Sequence, residues 1–352
     1  MKDKRVEYID VLRGVTMILV VYSHVAVWGF DQMYMAYNDI FISFRMPVFF
    51  FISGWVFYKA DRIWTSDTVK QIISKKFMVQ IIPFLFFMHL YMIIFHEPEY
   101  ESSPEYKYGY WFVYTLFQYF VIYIGAEVLF NRRNSNKREL VLMLFFLALS
   151  YAAFYYEQII DVSEPSIYMQ VLSVLSFSRI KYIIFFWLGT FVKKNFDSFI
   201  RISDNQYAMA ACLGFFLFLS MIPNYIEGAG DFFISFVLLG VTGIVILFTF
   251  FRKNESYFTK DSRLGKILQF IGRRTLDIYL LHFFLLPYHM NNIGTWLIQN
   301  TNKTVELFII LAIAIWVVAL SLLLSKIIRL SPFLAHYLFG AKTAPQLEVK
   351  GE

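Results

Sequence analysis

Arg13 and His24, with ten residues between them, lie inside the first long apolar stretch of a 352-residue chain. An ionisable residue at membrane depth is a functional-site hypothesis by default, because burying it is costly. An arginine there can bind an anion. An imidazole titrates near neutral pH and can take a proton from a hydroxyl. Eleven helical steps of about 100° make about three full turns, so both side chains leave the same face, roughly 16 Å apart along the axis. That rise is about half a bilayer core. One helix thus carries an anion-binding group near one surface and a titratable base near the other.

Further candidates surround this pair. Asp10 stands three residues before Arg13 on the same face. It either neutralises Arg13 at the interface or orients it toward an anionic ligand. Arg45 lies in the second span, at about the depth of His24, two residues before Pro47. A proline there can kink the helix and open a cavity. Lys75 and Lys76 open the third span ahead of Pro83. They read either as interfacial anchors or as phosphate contacts. Arg273 and Arg274 open the ninth span in Gly272-Arg273-Arg274-Thr275-Leu276-Asp277-Ile278-Tyr279-Leu280-Leu281-His282. Arg273 and Asp277 are spaced to pair. His282 lies further in, with His289 two turns on near the outer end. Arg179 and Lys181 enter the sixth span on the outer side, where they could touch an acceptor. Trp111, with Tyr108 and Tyr110, is either an aromatic belt or a sugar-stacking platform. His89 and His96 share a face without ligands at metal spacing, so no metal is expected.

The elements that must position these residues follow from composition. The chain is 58% hydrophobic and only 16% charged, against about 25% charged in soluble domains. The apolar residues come in runs of membrane length separated by short polar loops. An all-α, polytopic membrane protein is expected, with ten spans at about 7–28, 39–59, 77–96, 109–131, 139–157, 175–192, 207–224, 231–251, 270–291 and 304–328. The start reads as a retained first span rather than a cleaved signal. Of the 32 lysines and arginines, 24 fall on the side of the N-terminus and two, Lys107 and Lys303, on the other. The positive-inside rule then puts both termini in the cytoplasm. Outer loops carry acids instead: Glu97, Glu99, Glu101 and Glu105, then Glu157, Asp161 and Glu164, then Glu227 and Asp231. One integral membrane domain is expected over 1–338, with a short polar tail over 339–352. The net charge of +6 sits in membrane loops and is no nucleic-acid footprint. The single cysteine, Cys212, rules out a disulfide framework.

Three motifs together resemble the acyltransferase-3 family of bacterial membrane proteins, which modify cell-surface glycans. They are Asp10-x-Leu12-Arg13-Gly14 with Arg13-x10-His24, Arg45-x-x-x-Phe49-Phe50-x-x-Ser53-Gly54, and Thr275-x-x-Ile278-Tyr279-Leu280-Leu281-His282. The resemblance covers nearly the whole chain, and the family's ten-helix topology matches. Where the family tends to have an arginine-rich run before a proline, this chain has Lys75-Lys76 and then Pro83. It is similar to the stand-alone branch of sugar O-acetylases. The resemblance implies transfer of an acetyl or other acyl group from cytoplasmic acetyl-CoA to a hydroxyl of a surface or lipid-linked glycan, in a bacterial cytoplasmic membrane. In that frame Arg13, Lys75, Lys76, Arg273 and Arg274 would hold the polyanionic donor. His24 would deprotonate the acceptor, Asp10 would orient Arg13, and Arg45 would stabilise the oxyanion, the four forming the catalytic set. Arg179, Lys181, Trp111 and His282 would face the acceptor. Self-association is left open. A secondary transporter or flippase is the alternative, and a non-catalytic scaffold for glycan assembly is a third reading.

Overall fold

In hydrocarbon a backbone must satisfy its own N–H and C=O groups, so membrane-length apolar runs fold as helices. The computed structural model describes residues 6–95, 107–130, 135–159, 167–221 and 232–340. Among these residues there are helices and turns and no strand. The protein is an all-α polytopic membrane protein. Along the chain come α1 (Glu7–His24), α2 (Asn38–Phe57), α3 (Ser66–Lys76), α4 (Ile82–Phe95), α5 (Trp111–Phe130), α6 (Ser135–Ile159), α7 (Ile167–Val174) and α8 (Ile183–Lys194). Then follow α9 (Phe196–Ser203), α10 (Gln206–Met221), α11 (Phe233–Lys253), α12 (Arg263–Arg273), α13 (Thr275–Leu281), α14 (Asn291–Asn300), α15 (Lys303–Ile328) and α16 (Pro332–Phe339).

Among the described residues, seven continuous stretches are long and apolar enough to cross a membrane. An eighth span is bent by 53° between α7 and Phe177–Lys194, and two shorter apolar helices, Gln206–Met221 and Thr275–Leu285, match the remaining expected spans. Two boundaries differ from expectation. The third span begins at Ser66 rather than near residue 77, and α3 continues through a π turn at Phe77–Ile81 into α4. Lys75 and Lys76 therefore sit mid-helix, not at its opening. The ninth span is not one helix. α12 is amphipathic, with Leu264, Ile267 and Phe270 exposed and Leu268 and Ile271 buried, as suits a helix lying along the interface. The chain breaks at Arg274, and α13 then dips inward for seven residues. His289 follows in a loop with φ 64° instead of continuing a helix. The outer-loop acids Glu97, Glu99, Glu101, Glu105, Asp161, Glu164, Glu227 and Asp231, with His96 and the tail 341–352, lie outside the described residues.

α1 is the central element and packs on α2, α11, α12, α13 and α15. Val11, Leu12, Val21 and Tyr22 along it are fully buried. Glycines set the closest seams. A Cβ on Gly14 would overlap the Leu268 carbonyl, and one on Gly272 would overlap the Asp10 carbonyl, so α12 lies directly on α1. Gly54 and Gly189 do the same for α2 and α8, against Phe186 and Phe51 carbonyls. Small residues let helix backbones approach where no hydrophobic force acts between helices.

α13 is held by Asp277, whose carboxylate is 3% exposed. Arg329, just past the end of α15, grips it with two bonds of 2.9 Å, Ser325 donates at 2.5 Å, and Arg274 adds a contact at 3.3 Å. The expected partner was Arg273. The break at Arg274 instead leaves Arg273 exposed, with its Nη1 3.3 Å from Gln269 Oε1. Gly54→Val should lower stability by about 1–3 kcal/mol, because the seam cannot admit a side chain. Gly125, with nothing within 4 Å of an added Cβ, is the contrast: Gly125→Ala should stabilise by about 0.5–1 kcal/mol. Thermal unfolding of both variants in detergent checks the pair.

Candidate active site

His24 closes α1, and the backbone passes there into a π turn over Val25–Gly29. Such turns re-aim a side chain within a helix and recur at functional sites. His282 follows α13 at the start of a 3₁₀ turn, His282–Leu285. The two side chains meet, with His24 Nδ1 2.8 Å from His282 Nε2. The backbone around His282 fixes the direction of the proton. Its Nδ1 lies 3.0 Å from the Ile278 carbonyl oxygen and 2.8 Å from that of Tyr279. A carbonyl only accepts, so His282 carries its proton on Nδ1. In the neutral ring Nε2 is then an acceptor, and His24 Nδ1 donates to it. His24 is left with a lone pair on Nε2, which is the form a general base requires.

Aromatic rings enclose the pair. Trp28 stacks on His24 at 5.1 Å between centroids, and Phe283 lies 5.1 Å away on the same ring. His282 is fully buried, whereas His24 keeps partial exposure. Arg45 of α2 donates from Nη1 to the Val20 carbonyl at 3.1 Å, one turn before His24. Its Nε is buried with no partner among the described residues, and its charge acts on both imidazoles. α2 runs unbroken through Pro47.

Two cavities lead toward this cluster. The first, about 200 Å³, is walled mostly by apolar groups, with Met17, Val20, Met46, Phe112 and Tyr279 deep in it. Val20 is one turn from His24, Met46 adjoins Arg45, and Tyr279 is one turn from His282, so the cavity stops one turn short of the histidines. The second, about 430 Å³, carries Arg13, Arg62, Lys75 and Lys76. Arg13, Ser53, Val79, Gln80 and Leu116 line both, forming a neck between them. Arg13 donates to Thr275 Oγ1 at 3.0 Å, which ties the first motif to the third. Arg62 lies 4.5 Å over the Phe57 ring and 5.2 Å over Trp64, and Lys76 lies 3.7 Å over Phe120. Burial pulls the Arg62 guanidinium below the usual arginine value, with Tyr123 opposing. A desolvated cation of this kind gains by pairing with an anion.

The family model described as Acyltransferase domain matches residues 6–326. The chain belongs to the acyltransferase-3 family. No curated protein and no solved structure matches it. The histidine pair, Arg45 and all the residues lining both cavities fall within the matched region of this membrane acyltransferase.

The remaining expected site residues divide into those near this path and those elsewhere. Asp10 is buried one turn before Arg13, with its carbonyl against Gly272. Lys75 and Lys76 line the second cavity; Arg273 and Arg274 line neither, since Arg274 is taken by Asp277. His282, expected to face the acceptor, is instead wholly engaged by His24 and two carbonyls. Arg179 and Lys181 occupy a 3₁₀ turn at the bend before α8 and both pair with Glu157. Trp111 lies under Arg179 at 5.2 Å and stacks on Tyr182 at 6.0 Å. Tyr110 is fully buried and donates to the Leu280 carbonyl at 3.0 Å, so it belongs to no interfacial belt. His89 is exposed, with its Nδ1 2.7 Å from the Leu85 carbonyl. Arg62 and Gln80 are site residues that spacing did not single out. A charge in a short loop and a lone amide in an apolar run are the only traces they leave. His282→Phe should cut acyl-transfer turnover by about 100-fold while leaving donor affinity close to wild type. Steady-state kinetics of the purified variant checks it, and near-normal turnover would remove His282 from the proton path.

Proposed function

We propose that this membrane acyltransferase moves an acetyl or other short acyl group from cytoplasmic acyl-CoA to a hydroxyl of a surface or lipid-linked glycan, in a bacterial inner membrane. One observation carries the reading. A cationic cavity shares Arg13 with an apolar cavity that ends one turn below a histidine held in its acceptor tautomer. That sequence of surfaces follows the donor's own order: phosphates first, then a long thin arm, then a thioester.

The chemistry follows from the geometry. The acceptor hydroxyl attacks the thioester carbonyl carbon, and its proton passes to His24 Nε2. His282 holds the resulting imidazolium through the Nδ1–Nε2 bond. The tetrahedral oxyanion forms beside Arg45, where an incompletely satisfied guanidinium in an apolar setting stabilises it strongly. Collapse breaks the C–S bond, and the proton on His24 leaves with the thiolate as free CoA. The ester stays on the acceptor.

The outer side offers a place for that acceptor. A cavity of about 410 Å³ is lined by Ser43, Phe154, Glu157, Lys181, Tyr182 and Phe236, among others. Glu157 pairs with both Arg179 and Lys181. The aromatic walls and polar groups already held in ion pairs suit a hydroxyl-rich ring.

His24→Ala should reduce acyl transfer by about 100-fold or more without loss of membrane insertion, as read by ester formation on the glycan in mass spectrometry. Replacing Arg62 and Lys76 together by alanine should raise the KM for acyl-CoA by about tenfold or more, with a smaller change in kcat. Acyl-CoA hydrolysis or transfer that purified wild-type protein cannot perform would turn the reading toward a transporter.

A further inference from the structure

Gln80 stands in the π turn Phe77–Ile81 between α3 and α4. It is 8% exposed, yet it lines both donor cavities at the neck. Its Oε1 is buried and receives no hydrogen bond from the described residues. Its neighbours there are turned elsewhere or apolar: Val79 and Leu116 carry no donor, the Ser53 hydroxyl donates to the Phe49 carbonyl at 2.9 Å, and Arg13 donates to Thr275 Oγ1 at 3.0 Å. A buried amide oxygen without a donor costs free energy in any protein and more at membrane depth. A leucine or methionine would fill the same volume without that cost. A polar group kept in the wall of a cavity points to a ligand group that meets it.

We propose that Gln80 reads the amide-bearing arm of the acyl donor, hydrogen-bonding a secondary amide of a pantetheine-type chain as it passes the neck. The inference rests on the acyl-CoA reading above. Position supports it: the cations Arg62, Lys75 and Lys76 lie on one side of the neck and the histidine pair beyond the other. In such a donor the amides lie between phosphates and thioester. A side-chain carboxamide is the natural complement to a secondary amide, since each offers one donor type and one acceptor. Either rotamer of the Gln80 amide makes a bond, to the arm's N–H or to its C=O. The arm thereby becomes a specificity element. Acetyl phosphate or a simple alkyl thioester brings no amide and leaves Gln80 unsatisfied, and a site built to bond an absent group rejects the analogue.

The test compares two ligands on purified full-length protein by calorimetry: CoA, and 3′-phospho-ADP, which is the same nucleotide without its arm. Gln80→Met should weaken CoA binding by about tenfold and leave 3′-phospho-ADP binding unchanged. Gln80→Leu should repeat the result if the methionine variant does not purify. The melting temperature without ligand should not fall in either variant, because an unpartnered amide contributes nothing to the fold. Unchanged CoA affinity overturns the proposal while leaving the donor reading intact. Equal loss of both ligands, or a drop in melting temperature, assigns Gln80 a structural part and overturns it too. Wild-type protein that binds neither ligand overturns the donor reading itself, and the proposal with it.

Discussion

The arrangement depends on how a seven-residue helix ends. α13 stops at Leu281, where the His282 backbone N–H still donates to the Ile278 carbonyl and side chains supply further donors to the last turn. His282 Nδ1 satisfies two, those of Ile278 and Tyr279, and Tyr110 satisfies Leu280. This capping is ordinary backbone accounting, yet it decides a chemical question. With Nδ1–H committed to carbonyls, His282 can only accept at Nε2, and His24 can only present its own Nε2 outward. A carboxylate orients the base in a serine-protease triad. Here a neutral imidazole orients His24, which avoids burying a charge in the hydrocarbon region.

Holding α13 at that depth needs anchors at its other end. The Asp277 carboxylate, bonded by Arg329, Ser325 and Arg274, locks the start of α13 to α15. Arg13 locks it to α1 through Thr275. The glycine seams at Gly14 and Gly272 bring α12 onto α1, so the chain can turn at Arg274 and enter the bundle beside the neck. Close packing on one side of α1 leaves room on the other, where α2, the π turn at Phe77–Ile81 and α5 stand back to enclose the cavities.

Depth along a helix is legible in sequence, and sideways neighbours are not. The fixed rise per residue placed Arg13 and His24 at two levels of one face and Arg45 near the upper level, and the Arg45–Val20 contact is in keeping with that. The apolar runs marked the spans of a polytopic all-α protein. Hydropathy could not show that α3 carries the third span back to Ser66, because its residues are polar enough to read as loop. It could not show the break at Arg274, because nothing in Gly272-Arg273-Arg274 distinguishes an interfacial helix from a span's start. Pair spacing favoured Arg273 for Asp277, and the break rotated Arg274 and distant Arg329 into its place. His282 reads as one more polar residue until the backbone shows which of its nitrogens is occupied.

The tautomer chain has a consequence for the membrane as an insulator. A pair of hydrogen-bonded imidazoles resembles the start of a proton wire, and a bilayer that stores a proton gradient cannot tolerate a continuous one. This one ends blindly. Beyond His24 and His282 the last groups are peptide carbonyls, which hold a hydrogen bond but pass no proton onward. The paired rings are thus a terminus, with no exit through His282 for a proton held at His24.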